Sequence, residues 1–325
     1  MASTLTNTYN SAGLAEDFQD IIFDISPEDT PFLSVCKRSK ASQTYHQWQT
    51  DTLTAAGANK QIEGLDSTFA TLAPTTVVGN YCQISSKTVN ISGTHDVVRK
   101  YGRKSETAYQ LMKAGKELKR DMEYALVRNQ ASSAGGQATA RATGSIESWI
   151  ATTGATPAGN GVKATGNTGA TTAGFASGVV TAPTDGTAVT FIEANLQTAL
   201  GLAWTDGGDP SLILMSSTNK ARFSAFSGIA TKYNEIKGAT QGIIVGAADM
   251  YVSDFGNHTV KMDRFMRDEA VLCIDPGYVG IAQLRPMEKT ELAKTGDSTK
   301  WLMTTEYALV VQNPNAHAKV CSVGA

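Results

Sequence analysis

Between residues 41 and 96 the chain reads as two extended segments with no helix to cover them. In 44–53, Thr44, His46, Trp48 and Thr50 fall on one face, and in 76–92 Val89 and Ile91 alternate with polar neighbours. A period of two is the signature of a strand. The 55–73 stretch between them is a turn-rich connector. The whole predicts a long two-stranded excursion. A single pair of strands is marginal in water, because it cannot cover both its own faces. The excursion therefore calls for a partner, and another copy of the chain is the natural one.

What precedes it is an arm rather than a domain. Residues 1–10 are polar, and an apolar cluster follows at Phe18, Ile21, Ile22, Phe23 and Ile25. Ser26-Pro27-Glu28-Asp29 reads as a capped helix start with a first-turn proline. Thr30-Pro31 is expected to interrupt it, since the residue before proline is pushed out of the helical region. After the excursion, 105–130 carries the clearest helical stripe, through Ala108, Leu111, Met112, Gly115, Leu118, Met122, Ala125 and Leu126. Its charged residues, Glu123 among them, are expected on the other faces. At 1.5 Å per residue the helix would run about 39 Å, long enough to act as a spine.

Residues 131–186 are rich in Gly, Ala and Thr, and 145–152 is the one expected fixed point. A second region begins at Thr190-Phe191-Ile192-Glu193, which fits a capping box, and continues as a helix that Asp206-Gly207-Gly208 ends. The apolar run Leu212-Ile213-Leu214-Met215 predicts a buried strand, and a helix started by Ser217 is expected to stop near Gly228. Thr231 to Thr240 is less patterned. Short strands are predicted at 243–245, 251–252, 260–265 and 271–274, with a turn at Gly256-Asn257. Residues 286–300 are polar and charged. Alternation through Trp301, Met303, Thr305, Tyr307, Leu309 and Val311 then predicts a long strand, which Asn313-Pro314-Asn315 turns back toward Ala318 and Val320. The class is α+β.

Chemistry is hard to find. The chain has 325 residues, 41% hydrophobic, with a formal net charge of -2, unlike the strongly basic footprint of a dedicated nucleic-acid binder. Cys36, Cys82, Cys273 and Cys321 have no paired spacing, and a reduced chain is the simplest reading. No signal peptide or bilayer-length apolar run is present. G-x-S-x-G, G-x-x-x-x-G-K-[ST], H-E-x-x-H and C-x-x-C are all missing from the sequence. The four histidines (His46, His95, His258, His317) are scattered, which suits structural roles better than a metal site. Asp206-Gly207-Gly208-Asp209 lacks the alternating ligands of a calcium loop and reads as a helix-ending turn. Arg99, Lys100, Arg103 and Lys104 form the densest basic cluster, facing either DNA phosphates or acids across an interface. Trp48 is either an interface anchor or a packing residue of its own subunit. The Met and Leu stripe on the 105–130 helix is a core face rather than a cofactor box.

The order of parts and several segments together resemble the major capsid proteins of tailed phages, with the Hong Kong 97-like fold. The segments are Asp24-Ile25-Ser26-Pro27-Glu28-Asp29-Thr30-Pro31-Phe32-Leu33-Ser34, Thr44-Tyr45-His46-Gln47-Trp48-Gln49-Thr50-Asp51, Ser145-Ile146-Glu147-Ser148-Trp149-Ile150, Leu284-Arg285-Pro286, Glu306-Tyr307-Ala308-Leu309, Asn313-Pro314 and Ala316-His317. The resemblance covers residues 14–130 and 190–325 and weakens between them. It implies an N-terminal arm (1–40), an extended β-hairpin loop (41–96), a peripheral domain with the spine helix (97–184), an axial domain (185–284) and return strands to the peripheral domain (285–325).

The implied function is a self-assembling icosahedral head shell around double-stranded DNA, built as hexamers and pentamers, with no catalytic role, no cofactor and no metal. Phe32 and Trp48 are the candidate inter-subunit contacts. Implied partners are a separate scaffolding protein, since the arm pattern starts almost at Met1, a portal, and packaged DNA held non-specifically, with no membrane. Assembly is expected in the bacterial host's cytoplasm, and residence in the virion. The alternatives are an encapsulin-type nanocompartment shell, an enzyme with an unfamiliar site near Asp249 to Asp254, and a β-rich fibre protein, against which the long helix and the missing repeats speak.

Overall fold

The structure, a computed structural model, describes residues 26, 29–64, 66, 69, 71–72, 74–152, 159–169, 174–226 and 249–324. The apolar cluster at 18–25, residues 27–28 of the expected helix start, the 231–240 stretch and the strand at 243–245 lie outside them.

Thr30 lies outside the helical region, as the residue before a proline is expected to, and Pro31 opens a helix of its own. Helix α1 (Pro31–Val35) has Thr30 as its N-cap at φ -127°, ψ 76°, and the proline in its first turn. The restriction that proline places on Thr30 is satisfied at a cap, and the missing N–H costs nothing in a first turn. Strand β1 (Lys37–Lys40) follows, fully exposed. Strands β2 (Tyr45–Thr50) and β3 (Thr76–Tyr81) pair antiparallel as a sheet of two, from Tyr45↔Tyr81 to Thr50↔Thr76. The second extended segment is in fact two strands. Its latter part, β4 (Gln83–Ser92), leaves the excursion and joins the body of the subunit.

After a short helix, α2 (Gly93–Val97), comes the spine, α3 (Glu106–Val127), capped by the Ser105 side chain accepting from Ala108 N–H. Its C-terminal half buries Leu118, Met122, Ala125 and Leu126, while Met112 nearer the start is 56% exposed. Glu123 is not on an outer face as expected: it lies in the core at 0% exposure. Helix α4 (Ile146–Trp149) sits in the predicted fixed point, where every residue from 145 to 152 is buried. Short strands β5 (Gly161–Lys163), β6 (Phe175–Ala176) and β7 (Val179–Val180) complete this stretch.

Helix α5 (Glu193–Thr205) starts without the expected capping box. Ile192 is the N-cap, with no side-chain hydrogen bond. Residues 190–192 stay extended so that Phe191 is 2% exposed, with its ring 5.3 Å from that of Phe226; core packing overrides the local cap. Strand β8 (Leu212–Met215) is buried throughout, and α6 (Ser217–Ser224) is capped by Ser216. The next hairpin, β9 (Met250–Ser253) and β10 (Gly256–Met262), pairs Ser253 with Gly256. Its turn is therefore Asp254-Phe255 rather than Gly256-Asn257.

The last elements are β11 (Ala270–Ile274), β12 (Val279–Leu292), β13 (Ser298–Val311), a 3-10 turn (Pro314–Ala316) and β14 (Ala318–Cys321). Most of the charged 286–300 stretch is strand. Both faces there meet solvent, so the sequence shows no alternation to read. Two main sheets result, with orders β1-β12-β13-β4 and β5-β14-β11-β8-β10-β9. The return strands divide between them: β13 pairs β4, whereas β14 pairs β11 and β5 in the six-stranded sheet of the second region.

That sheet is buried on both sides. Leu212, Leu214, Leu272 and Ile274 face a core shared with α1, α3 and α4, and Ile213, Met215, Val271, Cys273 and Val320 face the core beneath α5 and α6. This is why 212–215 is apolar without alternation. Each such side chain contributes about 1.5–3 kcal/mol by leaving water.

Candidate assembly surface

The loop is held firmly at its base. Asn80, fully buried, donates to the Gly144 carbonyl (3.1 Å) and the Leu309 carbonyl (2.9 Å) and accepts from Gly144 N–H (2.8 Å). Tyr45 Oη donates to the Gly178 carbonyl at 3.1 Å. Trp48 lies 5.4 Å from Trp149, which stacks on Phe175 at 5.3 Å. Trp48 thus packs within its own subunit, at the root of the loop, which the sequence left open.

Past Thr50 and Thr76 the described residues of the loop are all exposed. Leu53 is 98% exposed, Ile62 77%, Phe69 102% and Leu72 90%. These four apolar side chains are the loop's candidate contact surface.

The arm is fastened by a residue that periodicity did not single out. Glu123 Oε1 accepts from Phe32 N–H at 2.7 Å and Oε2 from Leu33 N–H at 2.8 Å. These first-turn amides have no partner inside a helix. Phe32 itself is 0% exposed in the core with Met122 and Leu126, which corrects the expectation that it reaches a neighbour.

A second carboxyl group, that of Asp263, contacts Glu123. Asp263 Oδ1 accepts from Phe265 N–H at 2.8 Å, and its buried Oδ2 meets no N–H or O–H donor. Two touching buried carboxyls need a shared proton. Burial and the adjacent Asp263 carboxylate accordingly push Glu123 up to about 8, and burial raises Asp263 as well.

Of the basic cluster, Arg103 is paired with its own Glu106 and lies over the Tyr109 ring. Arg99 and Lys104 are exposed and Lys100 is half-buried.

Elsewhere, Arg267 bridges the buried Glu147 and Asp185, tying α4 to the start of the second region. Lys319, fully buried, donates to the Glu147 carbonyl at 2.8 Å, and burial lowers it to about 8. Burial also lowers His317 to about 4.

The Asp249 to Asp254 stretch forms one strand and its turn, and Asp249 pairs with Lys220 at 3.2 Å. Among the described residues, no three His, Cys, Asp or Glu side chains gather as a metal site, the cysteines are free and buried, and no helix is long and apolar enough to cross a membrane.

A body of two sheets, a spine helix, a clamped arm and a projecting loop is the architecture of the Hong Kong 97-like capsid fold. The subunit of the Cyanophage A-1(L) capsid has it at TM-score 0.62 and 13% identity, with 100% of both chains covered. The capsid of a native GTA particle has it at TM-score 0.62 and 11% identity, with 97% of both chains covered. In sequence, the major capsid protein of Escherichia phage Phieco32 is 30% identical over 346 residues, covering 96% of this chain and 95% of its own. A sequence model of the SU10 major capsid protein family matches residues 2–323. The chain belongs to that family: it is a major capsid protein, a structural subunit of a phage's icosahedral shell. The phage relatives outweigh the encapsulin alternative.

Proposed function

We propose that this subunit closes hexamers and pentamers into a head around a double-stranded DNA genome, without catalytic turnover. Shell formation completes its fold: the arm (1–40) and loop (41–96) are roles for contact with neighbours, residues 185–284 pack around the symmetry axes, and 97–184 with 285–325 form the wall between. The bare apolar tip carried by 51–75 supports this reading above all, because Leu53, Ile62, Phe69 and Leu72 find no cover in one chain. Stable shared interfaces bury about 2,000 Å² or more, and symmetric repetition of such contacts closes a shell.

Trp48 acts as the strut that aims the loop at a neighbour. A separate scaffolding protein and a portal are the expected partners in the bacterial cytoplasm, and packaged DNA is held non-specifically. Negative-stain microscopy and sizing of the purified chain test this: shells of uniform diameter are expected, and a persistent monomer at high concentration would contradict it. Double-stranded DNA inside particles recovered from infected cells separates a phage head from a cellular compartment.

A further inference from the structure

We infer that Ser253 is a covalent modification site: a serine nucleophile, activated by His258, that takes one acyl group from an activated aromatic ester. It stands at the end of β9, in the Asp249 to Asp254 stretch, and reaches across the hairpin. Ser253 Oγ lies 2.8 Å from His258 Nε2, and His258 Nδ1 lies 2.6 Å from the Pro210 carbonyl. A carbonyl oxygen only accepts, so Nδ1 carries the proton and the neutral ring presents a bare Nε2 to the hydroxyl. The Gly256 carbonyl, at 3.4 Å, is the poorer acceptor for that hydroxyl's single hydrogen. A nucleophile, its base and a third group that orients the base are all in place.

Burial divides the pair into a fixed base and a reachable nucleophile. His258 is 0% exposed and held through both ring nitrogens, whereas Ser253 is half-buried on an outermost strand of the six-stranded sheet. Asp254 N–H, the next amide in the chain, has no hydrogen-bond acceptor among the described residues. Phe255 N–H already donates to Ser253 Oγ at 3.1 Å. These two amides are the donors available to a developing oxyanion. The Phe255 ring lies 5.9 Å from that of Trp204, which is 60% exposed, so an aromatic surface adjoins the turn and suits an aromatic ester.

In the reaction, Oγ attacks the ester carbonyl carbon as its proton passes to Nε2. The Oγ–C bond forms, the C–O bond to the leaving alcohol breaks, and the proton follows to that alcohol's oxygen. The imidazole is sealed behind the acylated serine, so no water is activated there and the acyl group stays on the chain. The step is a single transfer per chain and not turnover.

p-Nitrophenyl acetate on the purified full chain, with the acetylated residues mapped by mass spectrometry, tests this. Ser253 should be acetylated about 100-fold or more faster than the exposed Ser34 and Ser39, neither of which has an imidazole partner. The fast phase of nitrophenol release should amount to one equivalent per chain and be absent from Ser253→Ala. His258→Gln should slow acetylation of Ser253 by a similar factor and leave Ser34 and Ser39 unchanged. A hydroxyl that only satisfies a buried imidazole would react like Ser34 and Ser39. That result, an undiminished rate in folded His258→Gln, or sustained release that depends on Ser253 overturns the inference. The comparison among serines of the parent chain decides it even where the His258 variant does not fold.

Discussion

Glu123→Ala should free the arm. The substitution removes both acceptors for the Phe32 and Leu33 amides, which lie 2.7 and 2.8 Å from the carboxylate oxygens in a site where Phe32 and Glu123 are fully buried. A buried amide left without an acceptor costs about 1–3 kcal/mol. Two such losses, partly offset because Asp263 no longer has a carboxyl against it, give a net cost of about 2–4 kcal/mol. Hydrogen exchange reads this locally, without assuming that the whole subunit unfolds as one unit. The amides of Phe32 and Leu33 should exchange roughly 30- to 900-fold faster than in the parent at pH 6, while those of β8 and β11 hardly change. Unchanged protection at residues 32 and 33 would refute the claim that Glu123 fastens the arm.

Further predictions follow from the same geometry. The shared proton makes the fastening sensitive to alkali: Glu123 is raised in the folded state, so its stabilising contribution is complete below the ordinary glutamate range and is lost as pH rises through about 8. Exchange at residues 32–35 should accelerate across that window in the parent, beyond the intrinsic rise with pH, and should not do so in Glu123→Gln; parallel profiles would count against the shared proton. Arg267→Ala strands the buried Glu147 charge and should cost about 3–5 kcal/mol, visible as a lower urea midpoint, and a loss under 1 kcal/mol would contradict it. Trp48→Ala removes a ring pair worth about 0.5–1.5 kcal/mol beyond its buried area; it should loosen β2 in exchange measurements, spare the melting of the two cores and lower shell yield, whereas normal shells from a loosened ribbon would show that the loop needs no strut.

The α3 stripe and β13 could be read because their apolar residues recur at the period of the element, whereas β8 and the anchor at 145–152, buried on every side, showed as apolar residues without a period. Strand β12 was missed along its whole length; its outer half has solvent on both faces and therefore no period. Glu123 was missed for a related reason: among the lysines and acids of α3, nothing local distinguishes a carboxylate that reaches the arm across 90 positions from one that faces water. The role of Phe32 depended on that same long-range contact, so its place in the N-terminal arm suggested an outward residue where the structure has an inward one. At Thr190 a sound local signal lost to the burial of Phe191. The extended segments were legible in part: β2 and β3 pair as a ribbon of two, whereas β4 joins the four-stranded sheet of its own subunit through contacts more than 200 positions away.

Whether the 51–75 loop is sheltered only by a neighbouring copy is tested by comparing amide exchange between assembled particles and dissociated subunits. This segment should exchange freely in the subunit and at least about tenfold more slowly in the particle. Equal exchange in both states would contradict it.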